Sequence, residues 1–286
     1  MTLWNRIETL IQQTLSQGGP VLFLTGAGLS AESGIPTFRG QDGYWTIGSR
    51  HYRPMELATY AQFSRTPGPV WSWYLSRRAT YANTQPNSGH QAIVDIEKVL
   101  GQRFLLVTQN VDGLHQAAGS SDTKTLPIHG NIHKKRCFAT CTTEVSSLPG
   151  LDKLPGNNPD LTEQEIAYLT CDRCGSWFRP HVLWFDESYN EEWYHYHTAI
   201  TAAARASLLV IVGTSGATNL PIQMGQLAAR QGAAIIDINP DRGHFASVAE
   251  RSSRGEHIQT SAGEALPKLA EMFRRIIGEP PHPLES

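Results

Sequence analysis

Residues 21–45 read VLFLTGAGLSAESGIPTFRGQDGYW. Val21 to Leu24 form an apolar run with no polar face, as expected of a strand covered on both sides of a parallel sheet. The run empties into Gly26-Ala27-Gly28 and a short helix, which is how a nucleotide-binding unit begins. Gly26 and Gly28 let the backbone approach a pyrophosphate, and the amides of the next helical turn face its charge. Taken alone, Gly-x-Gly-x-x-Ala also suits an ordinary turn. A dehydrogenase would place an acidic residue at the end of the next strand, about 20 residues on, to hold ribose hydroxyls. Here that window reads Gly-Ile-Pro-Thr-Phe-Arg-Gly, which is loop sequence, and Asp42 falls in a turn. The stretch predicts dinucleotide binding without hydride transfer.

Outward from this unit the chain alternates strands and helices. Before it, residues 3–17 form an amphipathic helix with Leu3, Ile7, Leu10, Ile11 and Leu15 on one face, stopped by Gly18-Gly19. After it, strands are expected at 103–108 (RFLLVT), 125–128, 207–212 (SLLVIV) and 234–238 (AIIDI). Helices are expected from Asn87 onward, over 220–231 and over 263–277. The alternation implies a parallel sheet with helices on both faces. Two segments interrupt it. Residues 46–85 are helical pieces rich in Trp and Tyr, broken by Pro54, Pro67 and Pro69, and 131–190 lacks periodicity and holds every cysteine. Ligands in such sheets collect at the carboxyl ends of the strands, where the Gly26, Gln109, His129, Gly213 and Asn239 segments lie.

The four cysteines occur as Cys137/Cys141 and Cys171/Cys174: C-x3-C, 29 residues, then C-x2-C. Two such pairs close a tetrahedral site of four thiolates about 2.3 Å from a zinc ion, and with no open position the metal is structural. Buried or redox-active thiols are the bland alternative. The charge balance of 24 basic against 26 acidic residues, net −2, gives no attraction to nucleic acid or membrane across the whole molecule. No apolar run reaches the roughly 20 residues of a membrane span, and no secretory leader is evident. A soluble, cytoplasmic chain of 286 residues is expected.

His129 ends a strand facing the crevice, and a group with pKa near ~6.5 suits general-base work. Gln109, Asn110 and Asp112 end the neighbouring strand, where they can bond ribose hydroxyls and a carboxamide; the plainer reading is an Asn/Asp/Gly turn. Thr214, Ser215 and Asn239 can bond an adenosine ribose or phosphate, or cap helices.

With GAGLSAESGIPTFRG at 26–40, TQNVDGLHQAAG at 108–119, HGN at 129–131, the cysteine pairs, RPHVLWFDE at 179–187, GTS at 213–215 and IN at 238–239, the chain resembles the sirtuins, NAD-dependent protein-lysine deacylases. The likeness runs from about residue 18 to 275. It implies a Rossmann-like NAD-binding domain (1–45, 86–130 and 191–286). It also implies a small domain made of the helical insertion (46–85) and a zinc-binding module (131–190). By this resemblance Gly26, Ala27, Gly28, Ser30, Phe38, Arg39, Trp45, Gln109, Gly213, Thr214, Ser215, Asn239 and Ala262 hold NAD. Asn110, Asp112 and Ile35 engage its carboxamide. The acyl oxygen of a modified lysine attacks the ribose and nicotinamide leaves. His129 then takes a proton from the ribose hydroxyls, and the products are free lysine and O-acyl-ADP-ribose. Val182 to Phe185, with Trp184 among them, pair with an acylated peptide as an added strand. The expected partners are acylated proteins, met by a monomer.

Residues 56–78 resemble the branch of that family that removes acidic acyl groups. Ala58 leaves room, while Tyr74 and Arg77 supply a phenol and a guanidinium for a succinyl or malonyl carboxylate. On the plain reading Tyr74 is core and Arg77 lies on a solvated face. Three features depart from the family pattern: Asp186 in place of Gly, one extra residue in 213–221, and the C-x3-C spacing. The Asp186 side chain is expected to restrict peptide approach or repel an acidic substrate. The alternatives are ADP-ribosyl transfer or NAD hydrolysis, and then a non-catalytic NAD sensor, which would lack His129 or Asn110.

Overall fold

The computed structural model describes residues 2–36, 45–47, 50–52, 54–156 and 160–278, and side chains outside 45–54. Phe38 and Arg39 lie outside the described residues, as does the Trp45 side chain. Six parallel strands form the main sheet in the order Gly255–Ile258, Ala234–Ile238, Leu208–Val212, Val21–Thr25, Phe104–Thr108, Thr125–Pro127. Val21 and Phe23 face one core with the helices Leu3–Ser16, Ser88–Leu100 and Ala262–Ile277. Leu22 and Leu24 face a second core with Tyr196–Arg205, Asn219–Arg230 and His244–Arg251. Burial on both faces is why the sequence reads as an unbroken apolar run. From the Val21 strand the chain goes first to one side and later to the other. The two strands flanking this reversal, Val21–Thr25 and Leu208–Val212, therefore leave a crevice at their carboxyl ends.

The expected helices and strands are present within one or two residues of their reading. The final strand Gly255–Ile258 and the helix His244–Arg251 before it were not anticipated. Their short apolar content, GEHI in the strand, hid them.

The segment 46–85 differs from expectation in two ways. A short hairpin, Trp45–Ile47 with Arg50–Tyr52, precedes its helices. Pro69 does not break a helix but lies in the first turn of Pro67–Tyr81, whereas Pro54 and Pro67 do begin separate helical pieces, since a first-turn residue needs no amide and Pro supplies the helical φ. Residues 131–190, read as aperiodic, contribute most of a three-stranded antiparallel sheet: Val145–Ser147, Gly130–Cys137, Phe178–Val182. Both inserted segments share one core. Trp71, Phe63 and Leu57 from the helices pack with Ile132, Leu154, Leu169 and Trp184, each large apolar side chain contributing roughly 2–3 kcal/mol by burial. Among the described residues no helix is long and apolar enough to cross a membrane.

Candidate active site

At the crevice the two flanking loops touch backbone to backbone. The Gly28 amide donates to Gly213 O at 2.8 Å and the Gly26 amide to Val212 O at 2.9 Å. A Cβ on Gly28 would stand 2.7 Å from Gly213 Cα, and one on Gly26 2.7 Å from Thr214 Cβ. The glycines are thus required by the neighbouring strand's loop. Their own amides are used in that contact, which leaves the amides of the following helical turn as the ones the sequence assigned to a pyrophosphate. Ala27 opens the short helix Ala27–Ala31 between them.

Below this contact lies a polar group drawn from two strands. Ser30 donates to Asp112 Oδ2 at 2.8 Å and the Leu114 amide to Oδ1 at 2.9 Å. Burial nevertheless pushes the Asp112 carboxyl above its ordinary range. Asn110 Nδ2 donates to Gly26 O and to Ser30 Oγ, each at 3.1 Å. Ile35 is buried beside them, its amide on Ser30 O. Gln109 Nε2 bonds Thr214 Oγ1 at 2.8 Å, and Asn239 Nδ2 bonds Thr214 O at 3.1 Å. Ser215 continues that loop, and Ala262 begins the helix Ala262–Ile277.

His129 closes the ring of residues. Its Nδ1 lies 3.0 Å from Gln109 O and its Nε2 2.7 Å from the Tyr189 hydroxyl. A carbonyl only accepts, so Nδ1 carries the proton and the phenol donates to the Nε2 lone pair. Burial pushes His129 down to about 4, against the Gln109 carbonyl, which raises it. The ring is therefore neutral near pH 7, as a base must be. Burial pushes the Tyr189 phenol up to about 12.

The four Sγ atoms lie within 4.8 Å of one another, with Cys137–Cys174 and Cys141–Cys171 at 3.6 Å. A tetrahedron of thiolates about 2.3 Å from zinc has edges of about 3.8 Å, so the cluster fits the ion. The extra residue in C-x3-C is absorbed by Thr140 in the left-handed region, φ 51°. The module is a structural clamp across the ends of its sheet and the 171–175 turn.

On the opposite wall Ala58 is buried and accepts the Phe185 amide at 3.0 Å. The Tyr74 hydroxyl accepts from Trp184 Nε1 at 2.9 Å, and burial pushes this phenol up. Arg77 bonds the Tyr81 hydroxyl at 2.5 Å and lies over the Trp73 and Tyr81 rings. Trp184, expected against substrate, is core, 1% exposed and beneath the Arg179 guanidinium. Val182 is buried too, whereas Phe185 is 53% exposed. The amides of Leu183, Trp184 and Phe185 are spent on His129 O, Glu187 Oε2 and Ala58 O. The carbonyls of Val182 and Trp184 are engaged as well, by Arg179 Nη2 at 2.9 Å and the Glu187 amide at 3.0 Å. Arg179 fixes the segment with a forked pair to Glu187 and a bond to Val182 O at 2.9 Å. Asp186 accepts from the Tyr60 amide at 2.7 Å and the Ala61 amide at 3.1 Å, so its charge caps the helix Tyr60–Arg65.

A model described as the Sir2 family matches residues 26–219. A protein named NAD-dependent protein deacylase from Leptospira interrogans (serogroup Icterohaemorrhagiae serovar Lai) is 40% identical over 257 residues, 90% of this chain and 93% of that protein. The chain belongs to the Sir2 family. NAD-dependent protein deacylase 1 of Archaeoglobus fulgidus is 37% identical over 95% of this chain and all of its own length. Among solved structures, a Sir2 homolog–NAD complex superposes with TM-score 0.76 at 33% identity, covering 96% of this chain and 94% of that one. A Sir2 homologue mutant in complex with 2'-O-acetyl ADP ribose gives 0.72 at 35%, covering 90% and 92%.

Within this Sir2 scaffold, the residues the sequence did not point to are Tyr189 and Thr218 beside His129 and Gln109. Beneath them, Thr25 and Thr108 bond one another at 2.9 Å and Thr25 bonds His115 Nε2 at 3.0 Å. Tyr189 gave no signal beyond an aromatic residue in a polar loop. The threonines end strands, where β-branched residues need no further reason.

Proposed function

We propose that this Sir2-family enzyme is an NAD-dependent protein-lysine deacylase with a preference for short acidic acyl groups. The observation that carries the deacylase reading is His129: neutral, with Nδ1–H held by the carbonyl of Gln109, whose side chain bonds Thr214, and with the Nε2 lone pair accepting only an exchangeable hydroxyl, that of Tyr189. Bound NAD supplies an ADP-ribose acceptor, with nicotinamide as the leaving group. Ala27, Ser30, Gln109, Gly213, Thr214, Ser215 and Asn239 line its binding crevice, with Ala262 at the adenosine end. Asn110 and Asp112 orient the carboxamide beside Ile35. His129 accepts a hydroxyl proton, which its ring can do at any pH above about 4. Cys137, Cys141, Cys171 and Cys174 hold a structural zinc ion remote from the proton transfer.

The acyl preference is supported by Ala58, whose small side chain leaves room, and by the Tyr74 phenol, which accepts from Trp184 and keeps its own proton to donate. Arg77, one turn on, adds charge close enough to act on Tyr74. Cysteines gathered for a metal and not paired in disulfides suit a reducing, cytoplasmic setting.

A mass-spectrometric time course with NAD and succinyl-lysine or acetyl-lysine peptides tests both parts. Equal yields of nicotinamide, deacylated peptide and O-acyl-ADP-ribose are expected, with succinyl ahead. Arg77→Met should lose succinyl turnover about tenfold or more and keep acetyl turnover, and His129→Ala should deacylate neither. Nicotinamide without deacylated peptide would favour transferase or hydrolase activity instead. Acetyl ahead would discard the acidic pocket.

A further inference from the structure

We infer that Tyr189 is a positioning residue for His129, holding its lone pair until a substrate hydroxyl displaces the phenol. This rests on the deacylase reading, in which His129 takes a hydroxyl proton. Nothing in the chemistry of NAD binding asks for a phenol at this point, yet one is placed there closely.

The imidazole is gripped from both sides. Gln109 O accepts Nδ1–H at 3.0 Å and the Tyr189 hydroxyl sits 2.7 Å from Nε2, the two rings 5.8 Å apart. Nε2 of a neutral imidazole has one lone pair, in the ring plane. A donor at 2.7 Å fills it, because a second hydroxyl cannot reach the same direction without clashing with the first. A substrate hydroxyl that is to give its proton to Nε2 therefore has to take the phenol's place.

Tyr189 is built to occupy that position and to leave it. Burial keeps the phenol protonated, so it is a donor at working pH and never a competing base. It lies in the short connection between the Arg179–Glu187 clamp and the helix Glu191–Tyr194. Its ring packs against the Leu22 and Leu24 core and stacks on Tyr196 at 6.5 Å between centroids, so the exchange asks for movement of the hydroxyl end alone. Thr218, within hydrogen-bond reach of the phenol, donates to Gln109 Oε1 at 3.0 Å, so the phenol also leans on the 213–218 loop. The exchange is one hydrogen bond for another: Tyr189 O–H on Nε2 gives way to substrate O–H on Nε2, and no covalent bond changes.

The test compares the protein and Tyr189→Phe by ¹⁵N NMR of labelled histidine, free and saturated with ADP-ribose, together with calorimetric affinity for ADP-ribose. The His129 Nε2 shift should differ between the two proteins in the free state and coincide in the bound state. Affinity should rise about three- to tenfold in the variant, the worth of one displaced hydrogen bond. Equal shifts in the free state would overturn the inference, since the bond would not exist. A difference that persists on binding would overturn it too, since the phenol would stay. So would deacylation falling more than tenfold at unchanged affinity, which would make Tyr189 a proton carrier. If the variant does not fold, the native Nε2 shift must still move on adding ADP-ribose, or the inference fails. Absence of deacylation in the native protein would sink the deacylase reading separately, with the shifts still deciding whether Tyr189 is displaced.

Discussion

The two walls of the cleft are held by different means. The sheet-end wall is backbone against backbone: Gly28 on Gly213, Gly26 on Val212, with side-chain amides of Gln109, Asn110 and Asn239 closing the remaining gaps. The wall made by the inserted segments is side chain against distant side chain: Trp184 on Tyr74, Arg179 on Glu187, Asp186 on the Tyr60 and Ala61 amides, cysteine on cysteine. A backbone contact fixes residue type and spacing together. A side-chain contact fixes only the meeting point, so loop length and local spacing can vary around it. Two of the three departures, Asp186 and C-x3-C, fall on the second wall; the third, the extra residue in 213–221, falls on the first, in the loop that begins at the Gly213 contact.

The largest effect should come from removing the clamp that spans the second wall. Cys171→Ser leaves three thiolates and a lost ligand, and metal binding contributes folding energy in such modules. Zinc content should fall to zero with aggregation of the inserted core, read by metal analysis and far-UV circular dichroism. A soluble metal-free variant would mean that the aromatic core Trp71–Trp184 holds this wall alone.

Next in size is acid. Burial depresses His90 and His129 to about 4, and His115 and His181 to about 3. Three of these underlie the sheet-end wall and one the inserted sheet. Their folded values lie below the unfolded value near 6.5, so the unfolded chain binds more protons. Stability present above pH 6.5 is then lost as pH falls through 6.5 toward 4. Each costs up to about 1.4 kcal/mol per pH unit in that window. Asp237, raised by burial to about 6, acts with the opposite sign and offsets roughly one of them below pH 6. Tm should therefore drop clearly between pH 7 and pH 5. His181→Gln should make the slope shallower, which separates the second wall's share from the first's.

The first wall was legible because its physics is local. A two-sided strand, a glycine turn and strand-end polar residues lie within a few positions of each other, and the sheet brings such strand ends together without further information. His129 was placed for the same reason. The reason for the glycines was not legible, because Gly213 lies nearly two hundred residues from Gly28 and only the parallel pairing of their strands makes them touch. On the second wall the cysteines were readable from spacing. The inserted sheet was not, since its central strand carries the polar run His133–Arg136 in place of an apolar alternation, over a core borrowed from the other insert. Tyr189 and Asp186 show the same limit: each meets its partner across more than fifty residues.

Asp186 gives the smallest effect and the sharpest contrast between the walls. On sequence alone its charge is expected to oppose an acidic substrate. In the fold both carboxylate oxygens accept amides at the start of Tyr60–Arg65. Asp186→Gly removes a cap of the usual worth, about 1 kcal/mol, and frees the helix that carries the segment after Ala58. Tm should fall by a few degrees, and the ratio of succinyl to acetyl turnover should stay the same, because the lost charge faced the helix. A ratio that moves toward succinyl in the glycine variant would show that the carboxylate reaches the acyl pocket during turnover. The second wall would then be mobile where the first is fixed, and the difference between them would lie in motion as well as in construction.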